Sequence, residues 1–346
     1  MAVKIAQVSP LYESVPPKGY GGTERVASYL TDELVRQGHD VTLFASGDSV
    51  TKARLIAACP ESLRLNKQCI DQLAHHVLLL ERVFREARRF DVIHFHIDYF
   101  HFPLSKRHNI PHVTTLHGRL DIPDLVPLYE EFPTMPVVSI SNSQRGPLPS
   151  LNWQGTVYHG LPHDLYTFHD APGRYLAFLG RISPEKRVDR AIDIACRAGM
   201  AIKIAAKVDP VDRDYFAQKI KPLLKHPLVE YIGEVGEKEK DEFLGNASGL
   251  LFPIDWSEPF GLVMIESMAC GTPIIAYRRG SVSEVMDDGV TGFIVEDEDS
   301  AVEAVGRLGS LNRKRIRSVF EERFSASRMA NDYVAIYRQL VKRLAA

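Results

Sequence analysis

The feature that most constrains this chain is an alternation of short apolar runs with amphipathic helical patterns, present once before residue 159 and again after residue 173. Residues 3–8 form an apolar-rich run, 23–37 carry a helical pattern stopped by Gly38, and 41–45 form the next apolar run. A helix over 68–89 and strands over 91–96, 112–117 and 137–141 continue the series. After Pro172 it resumes with a strand over 175–180, a helix over 184–198, a strand over 201–206, and later strands over 249–254 and 293–295. Strands that alternate with helices pair in parallel and are covered on both faces. Two such series predict an α/β chain with two doubly wound, Rossmann-like domains facing across a cleft, because ligands of such sheets bind beyond the carboxyl ends of the strands. The boundary falls in 159–173, where Pro and Gly cluster and periodicity is lost. From residue 326 onward one amphipathic helix is expected, with Met329, Tyr333, Ile336, Leu340 and Leu344 on its apolar face.

Composition excludes several classes. With 346 residues and 45% apolar content the chain needs no disulfide staples, and Cys59, Cys69, Cys196 and Cys270 lack C-x-x-C spacing. A reducing, cytoplasmic setting is expected. No run approaches the ~20 apolar residues of a membrane span, and the first residues lack a signal-peptide core. A net charge of −2 provides no general attraction for nucleic acid. Phosphate binding, if present, must be local.

Two segments have the local chemistry for it. In S-E-P-F-G-L-V-M-I-E, residues 257–266, a buried strand ending at Pro253 leads through a tight loop into a helix. Strand, loop and helix aim backbone N–H groups and the positive end of a helix dipole at an anion. Glu258 lies in the loop and Glu266 in the helix, which suits a ligand with hydroxyls at both ends and phosphates between. As alternatives, Glu258 is a helix-terminus charge and Glu266 an exposed helix residue, or the two are a glycosidase pair. Eight helical residues rise roughly 12 Å, more than the about 5–9.5 Å of a glycosidase. In G-R-I-S-P-E-K-R, residues 180–187, Ser183 reads as an N-cap and Pro184 as the first helical residue. Arg181, Lys186 and Arg187 then crowd a helix end that is already positive. An anion held by the Arg181 fork and the Lys186 point charge explains the clustering better than a solvated face.

These segments, together with G-Y-G-G-T-E-R (19–25), T-T-L-H-G (114–118), S-I-S-N-S-Q-R (139–145) and G-S-V-S-E-V-M-D-D-G-V-T-G-F-I-V (280–295), resemble family 4 glycosyltransferases in order and spacing along essentially the whole chain. The resemblance implies a GT-B fold of domains 1–165 plus 333–346 and 172–328, the final helix crossing back onto the first. It implies a retaining hexosyl- or pentosyltransferase that uses a nucleotide-diphosphate sugar, UDP-sugar favoured, and a hydroxyl acceptor, with no metal and no further cofactor. Arg181 and Lys186 would hold the diphosphate. Glu258 would meet the donor sugar, with the N–H groups of Phe260, Gly261 and Leu262 near sugar and phosphate. Glu266 would bind the ribose hydroxyls and the backbone at Val235 the base. Gly21 and Gly22 would approach the phosphates, and His117 would contact the transferred sugar. The catalytic set is therefore His117, Arg181, Lys186 and Glu258. Pro259, where the family often has Gly, and Trp256 leave the donor sugar unspecified. A non-catalytic GT-B binder of nucleotide or glycan and a GT-B phosphorylase are the rival readings.

Three further patterns stay at the level of residues. His94, His96, Asp98 and His101 invite a metal site or line an acceptor pocket. Asp212/Asp214 and Asp297/Asp299 precede helical patterns and read as caps. Arg82, Arg85, Arg88 and Arg89, with Glu81 and Glu86 interspersed, read as a solvated face or as a weak peripheral membrane contact.

Overall fold

A computed structural model of the chain describes residues 2–345, and side chains of the last helix as far as Arg343. The apolar position expected at Leu344 and the terminal residue 346 lie outside the described side chains. The chain forms two compact units, Met1–Pro162 with Ser325–Ala346, and His163–Phe324.

The first unit is built on seven strands: β1 (Lys4–Val8), β2 (Asp40–Ser46), β3 (Arg54–Cys59), β4 (Val92–Phe95), β5 (His112–Thr115), β6 (Val137–Ser139) and β7 (Trp153–Thr156). They lie in the order β3-β2-β1-β4-β5-β6-β7, every neighbour parallel. The second unit has β8 (Tyr175–Arg181), β9 (Ala201–Lys207), β10 (Val229–Gly233), β11 (Gly249–Phe252), β12 (Ile274–Tyr277) and β13 (Gly292–Val295), in the order β10-β9-β8-β11-β12-β13, again all parallel. The strand order reverses between β1 and β4 in one sheet and between β8 and β11 in the other. At such a switch point the two neighbouring strands send their following segments to opposite faces, which opens a crevice at their carboxyl ends.

The central strands β1, β4, β8 and β11 are nearly continuous apolar runs because both faces are covered. In the second unit Ile202, Ile204, Leu251 and Ile275 pack under Ile192, Ala195, Ala301 and Val305 of two flanking helices. The returning helix Ala326–Ala345 belongs to the first unit, where it packs on β4, β5 and the helix Gly22–Arg36. Met329, Tyr333 and Tyr337 are wholly buried and Ile336 and Leu340 nearly so. Each such side chain contributes roughly 1.5–3 kcal/mol.

The return begins at Ser325, ahead of the expected Tyr333. Ser325 bridges Leu161 in parallel, and the Ala326 N–H donates to the Leu161 carbonyl at 2.8 Å. Gly160 is required there, since a Cβ would run into the Ser325 backbone.

Candidate functional site

In the second unit, Arg181 is the last residue of β8 and Glu258 lies in the segment that follows β11. Both therefore project from carboxyl ends at the switch point. The expected helix start at Pro184 is corrected: Pro184–Lys186 is one 3-10 turn, Arg187 is left-handed at φ 54°, and the helix runs Val188–Arg197. Ser183 caps neither element with its side chain. Arg187 holds this unusual conformation while its guanidinium pairs with Asp189 at 2.9 Å and Asp255 at 3.1 Å. It is committed to the scaffold. Lys186 is consequently not a first-turn helix residue, and a crowded helix dipole is not the reason for its placement.

The two loops are joined by contacts that sequence spacing does not reveal. The Asp255 N–H donates to the Glu185 carbonyl at 2.9 Å, and Lys186 donates to the Glu258 carboxylate. The Lys186 ammonium also lies 5.0 Å from the centre of the Trp256 ring and 5.6 Å from that of Phe252, within cation–π range of both. Arg181 pairs with Glu185 at 2.6 Å and Asp209 at 3.6 Å, and Lys207, opposite Arg181 on β9, reaches Asp209 at 3.1 Å. Both predicted cations thus face carboxylates of their own unit.

Gly261, with φ 79°, turns the chain into the helix Leu262–Ala269, which carries Glu266 on its buried side. The Ser281 N–H donates to the Glu258 carbonyl at 3.0 Å and its hydroxyl to the Phe260 carbonyl at 2.8 Å. Gly280 must be glycine, because a Cβ would collide with the Glu258 backbone. Phe260 is buried in the unit's interior. Glu266 is not the exposed helix residue of the alternative reading: it is buried and pairs with Lys240 at 3.0 Å. Lys240 comes from the helix Glu237–Gly245, just after Val235 and the φ 79° turn at Gly233. The Val235 loop and Glu266 are therefore tied together.

In the first unit, β5 ends at Thr115, so His117 stands in the loop past the strand rather than within it. Its Nε2 lies 2.9 Å from His96 Nδ1, and its ring stacks on His159 with centroids 5.3 Å apart. Burial pushes His117 down to about 3, and His94, His96 and His159 well below the ordinary histidine range. All four are neutral at pH 7. Asp98 is left-handed at φ 48° and raised by burial to about 6, against the His117 backbone N–H that favours its charged form. The histidines proposed for a metal engage both ring nitrogens with protein groups: His94 with Tyr337 and Thr115, His96 with His117 and Gln7, His101 with Ser105 and Thr114. Among the described residues no three His, Cys, Asp or Glu side chains are grouped to hold a metal ion.

Gly21 precedes the helix Gly22–Arg36 at the carboxyl end of β1's following loop. The structure supplies a local reason for Gly21, since a Cβ would lie 2.8 Å from the Pro17 side chain. Glu24, in the first turn after Gly22, is raised by burial.

Two family models match the chain, Glycosyltransferase Family 4 over residues 20–189 and Glycosyl transferases group 1 over residues 167–321. This chain belongs to glycosyltransferase family 4. Among its relatives, the N-acetyl-alpha-D-glucosaminyl L-malate synthase of Bacillus anthracis is 26% identical over 375 residues, covering 96% of each chain. Among solved structures, the sucrose-phosphate synthase of Thermosynechococcus elongatus matches with a TM-score of 0.80 at 18% identity, covering 99% of this chain and 100% of that one. Anabaena HepE, solved with UDP and glucose, matches with a TM-score of 0.71 at 18% identity over 99% of each. The fold is GT-B.

As a family 4 glycosyltransferase the chain is an enzyme of glycosyl transfer, not the non-catalytic binder of the rival readings. Among the caps, Asp297 accepts from the Ser300 N–H at 2.8 Å as expected, whereas Asp212 makes no side-chain cap and the helix-capping reading of Asp212 is corrected. The residues that sequence reasoning missed in this glycosyltransferase are Lys207 and Asp209 beside Arg181, Lys240 beside Glu266, and Gly280 and Ser281 behind Glu258. Only Gly280 and Ser281 had a signal, as part of the 280–295 motif. Among the described residues no helix is long and apolar enough to cross a membrane.

Proposed function

We propose that this glycosyltransferase is retaining and moves a sugar from a nucleotide-diphosphate donor, UDP-sugar favoured, to a hydroxyl on a saccharide, lipid-linked or small-molecule acceptor. The observation that carries this reading is the pairing of Arg181 with Glu185 and of Lys186 with Glu258 at the β8–β11 switch point. Two cations held in place by carboxylates are preorganised for a diphosphate, and stabilise the charge that grows on it as the sugar leaves. They supply this without a metal, and no cofactor is required besides the donor and acceptor substrates. Once the phosphates engage Lys186, Glu258 is released toward the sugar hydroxyls, with the N–H groups of Phe260, Gly261 and Leu262 beside it. Glu266, oriented by Lys240, meets the ribose, and the Val235 backbone meets the base. Gly21 and Gly22 serve the phosphates from the first unit's loop and His117 the transferred sugar. The choice of UDP is supported by HepE, solved with UDP and glucose. Four free thiols fit a cytoplasmic location.

A thermal-shift panel of UDP, GDP, ADP and their sugars, run with chelator, tests the donor reading. A ligand at 100 times its Kd adds roughly 2.7 kcal/mol. A shift confined to GDP or ADP compounds removes the UDP preference, and one that requires a divalent ion removes metal independence. Proton NMR of the first-formed glycosidic bond decides retention: an inverted anomer ends that part of the proposal.

A lipid-borne acceptor has a separate observation in its favour. On the helix Gln72–Glu86 the exposed face carries Leu73, Val77 and Leu78 in the first two turns, beside Ile70, which is 99% exposed, and is followed by Arg82, Arg85, Arg88 and Arg89. Apolar residues beside arginines suit a weak peripheral contact with anionic lipid. Co-sedimentation with phosphatidylglycerol vesicles but not with phosphatidylcholine vesicles is expected, and equal recovery with both ends this reading.

A further inference from the structure

Gln7, on β1, is wholly buried, and both ends of its amide are engaged. Its Nε2 donates to the Tyr337 hydroxyl at 3.1 Å, and its Oε1 lies 2.8 Å from His96 Nε2. An amide oxygen only accepts, so the proton of the neutral His96 ring is on Nε2 and its Nδ1 is bare. That bare Nδ1 faces His117 Nε2 at 2.9 Å and needs a donor, so His117 carries its proton on Nε2. Nδ1 of His117 is left with a lone pair and has no hydrogen bond to any described residue.

The other branch of the network obeys the same logic. Tyr337, having accepted from Gln7, donates to His94 Nδ1 at 2.7 Å. His94 then donates from Nε2 to the Thr115 hydroxyl at 2.7 Å, and Thr115 donates to Tyr333 at 2.7 Å. Each proton is used once. The chain of bonds runs from the returning helix, through β1 and β4, to the loop after β5.

We infer that Gln7 and His96 are positioning residues that hold His117 in its Nε2-protonated tautomer, so that Nδ1 is a dedicated acceptor for a hydroxyl of the transferred sugar. The inference rests on the reading above that His117 meets that sugar. An imidazole fixed in this way discriminates among donors: a sugar that presents a hydroxyl donates to Nδ1, whereas its deoxy or fluoro analogue leaves the lone pair unmet or repelled. It also bars His117 from delivering a proton through Nδ1. The Tyr337 hydroxyl, by holding the Gln7 amide in this orientation, makes the last helix part of the specificity of the site.

The test uses the full chain labelled with 15N-histidine. Two-bond proton–nitrogen correlation spectra, assigned with His117→Ala, should show His117 protonated at Nε2 and bare at Nδ1. Gln7→Leu removes the acceptor for His96 and should give a mixed or inverted His117 tautomer, whereas Gln7→Glu keeps an acceptor and should preserve it. Turnover is followed with the UDP-sugar that gives the largest melting shift. There, Gln7→Leu should lose about tenfold in kcat/KM, the scale of one hydrogen bond, and Gln7→Glu should recover most of it. A wild-type His117 protonated at Nδ1, or a Gln7→Leu variant with melting point and His117 tautomer both unchanged, overturns the relay. If the tautomer is as assigned but His117→Ala keeps full kcat/KM, the placement of His117 at the sugar fails and the relay does not.

Discussion

The Lys240 ammonium lies 3.0 Å from the Glu266 carboxylate, and both side chains are largely withdrawn from water. The pair ties the helix after Val235 to the helix after Gly261. It fixes the Glu266 carboxylate from the neighbouring helix.

Removing Glu266 therefore has two separable effects. Glu266→Ala strands a mostly buried ammonium, and breaking such a pair costs about 3–5 kcal/mol, visible as a lowered melting point. Because ribose contacts are made alike in ground and transition states, donor KM should rise more than kcat falls. Glu266→Gln keeps the shape and should retain more stability while still weakening the donor. A collapse of kcat with donor affinity intact in both variants contradicts the assignment of Glu266 to the ribose.

Arg181→Ala and Lys186→Ala should each lower turnover about 10²-fold or more, the scale of losing one preorganised donor to a developing charge. The two differ in what they release. Lys186→Ala frees Glu258 from its cation, and Lys186→Arg restores charge without the same reach over Trp256 and Phe252. A change below threefold in both alanine variants means that the diphosphate is held elsewhere.

Acid should destabilise the first unit in a defined window. His117 at about 3, and His94, His96 and His159 well below 6.5, bind fewer protons folded than unfolded. Stability is then complete above pH ~6.5 and lost as pH falls from there toward 3. Asp98, raised from 3.8 to about 6, and Glu24, also raised by burial, act oppositely over the lower part of that interval but are two groups against four. Melting curves between pH 7 and 4 should show this slope, and His159→Gln should reduce it. A melting point independent of pH across that range is incompatible with buried neutral histidines.

Ending the chain after Asp332 removes Tyr333, Ile336, Tyr337 and Leu340, and with them the hydroxyl partners of Thr115, His94 and Gln7. The truncated protein should lose transfer and show early melting of the first unit, while nucleotide binding by the second remains detectable by calorimetry. Undiminished transfer and an unchanged melting curve exclude this role for the last helix.

The alternation of apolar runs and helical patterns was sufficient for the two parallel sheets, because strands buried on both faces leave few alternatives to an apolar composition. The edge strand β7 was not legible for the converse reason: it is only half-buried, and W-Q-G-T carries no such run. The edge strand β3 does carry one, L-I-A-A-C, only partly buried, and the alternation read from the sequence passed over it. Arg181, Lys186, Glu258, Glu266 and His117 were legible as motif residues at strand ends, where the sheet topology gathers ligands. Their partners were not. Lys240 is 26 positions from Glu266, Glu258 is 72 from Lys186, and Tyr337 is 243 from His94. No local period or cap relates residues so far apart, so only the tertiary structure could pair them. The same limit explains Pro184–Arg187, where local rules for Ser183 and Pro184 predict a helix. Arg187 pairs with Asp189 in its own helix and with Asp255 from the loop after β11, and the helix begins at Val188 instead. Local propensity determined where elements form, and long-range charge and packing decided how their ends are aimed.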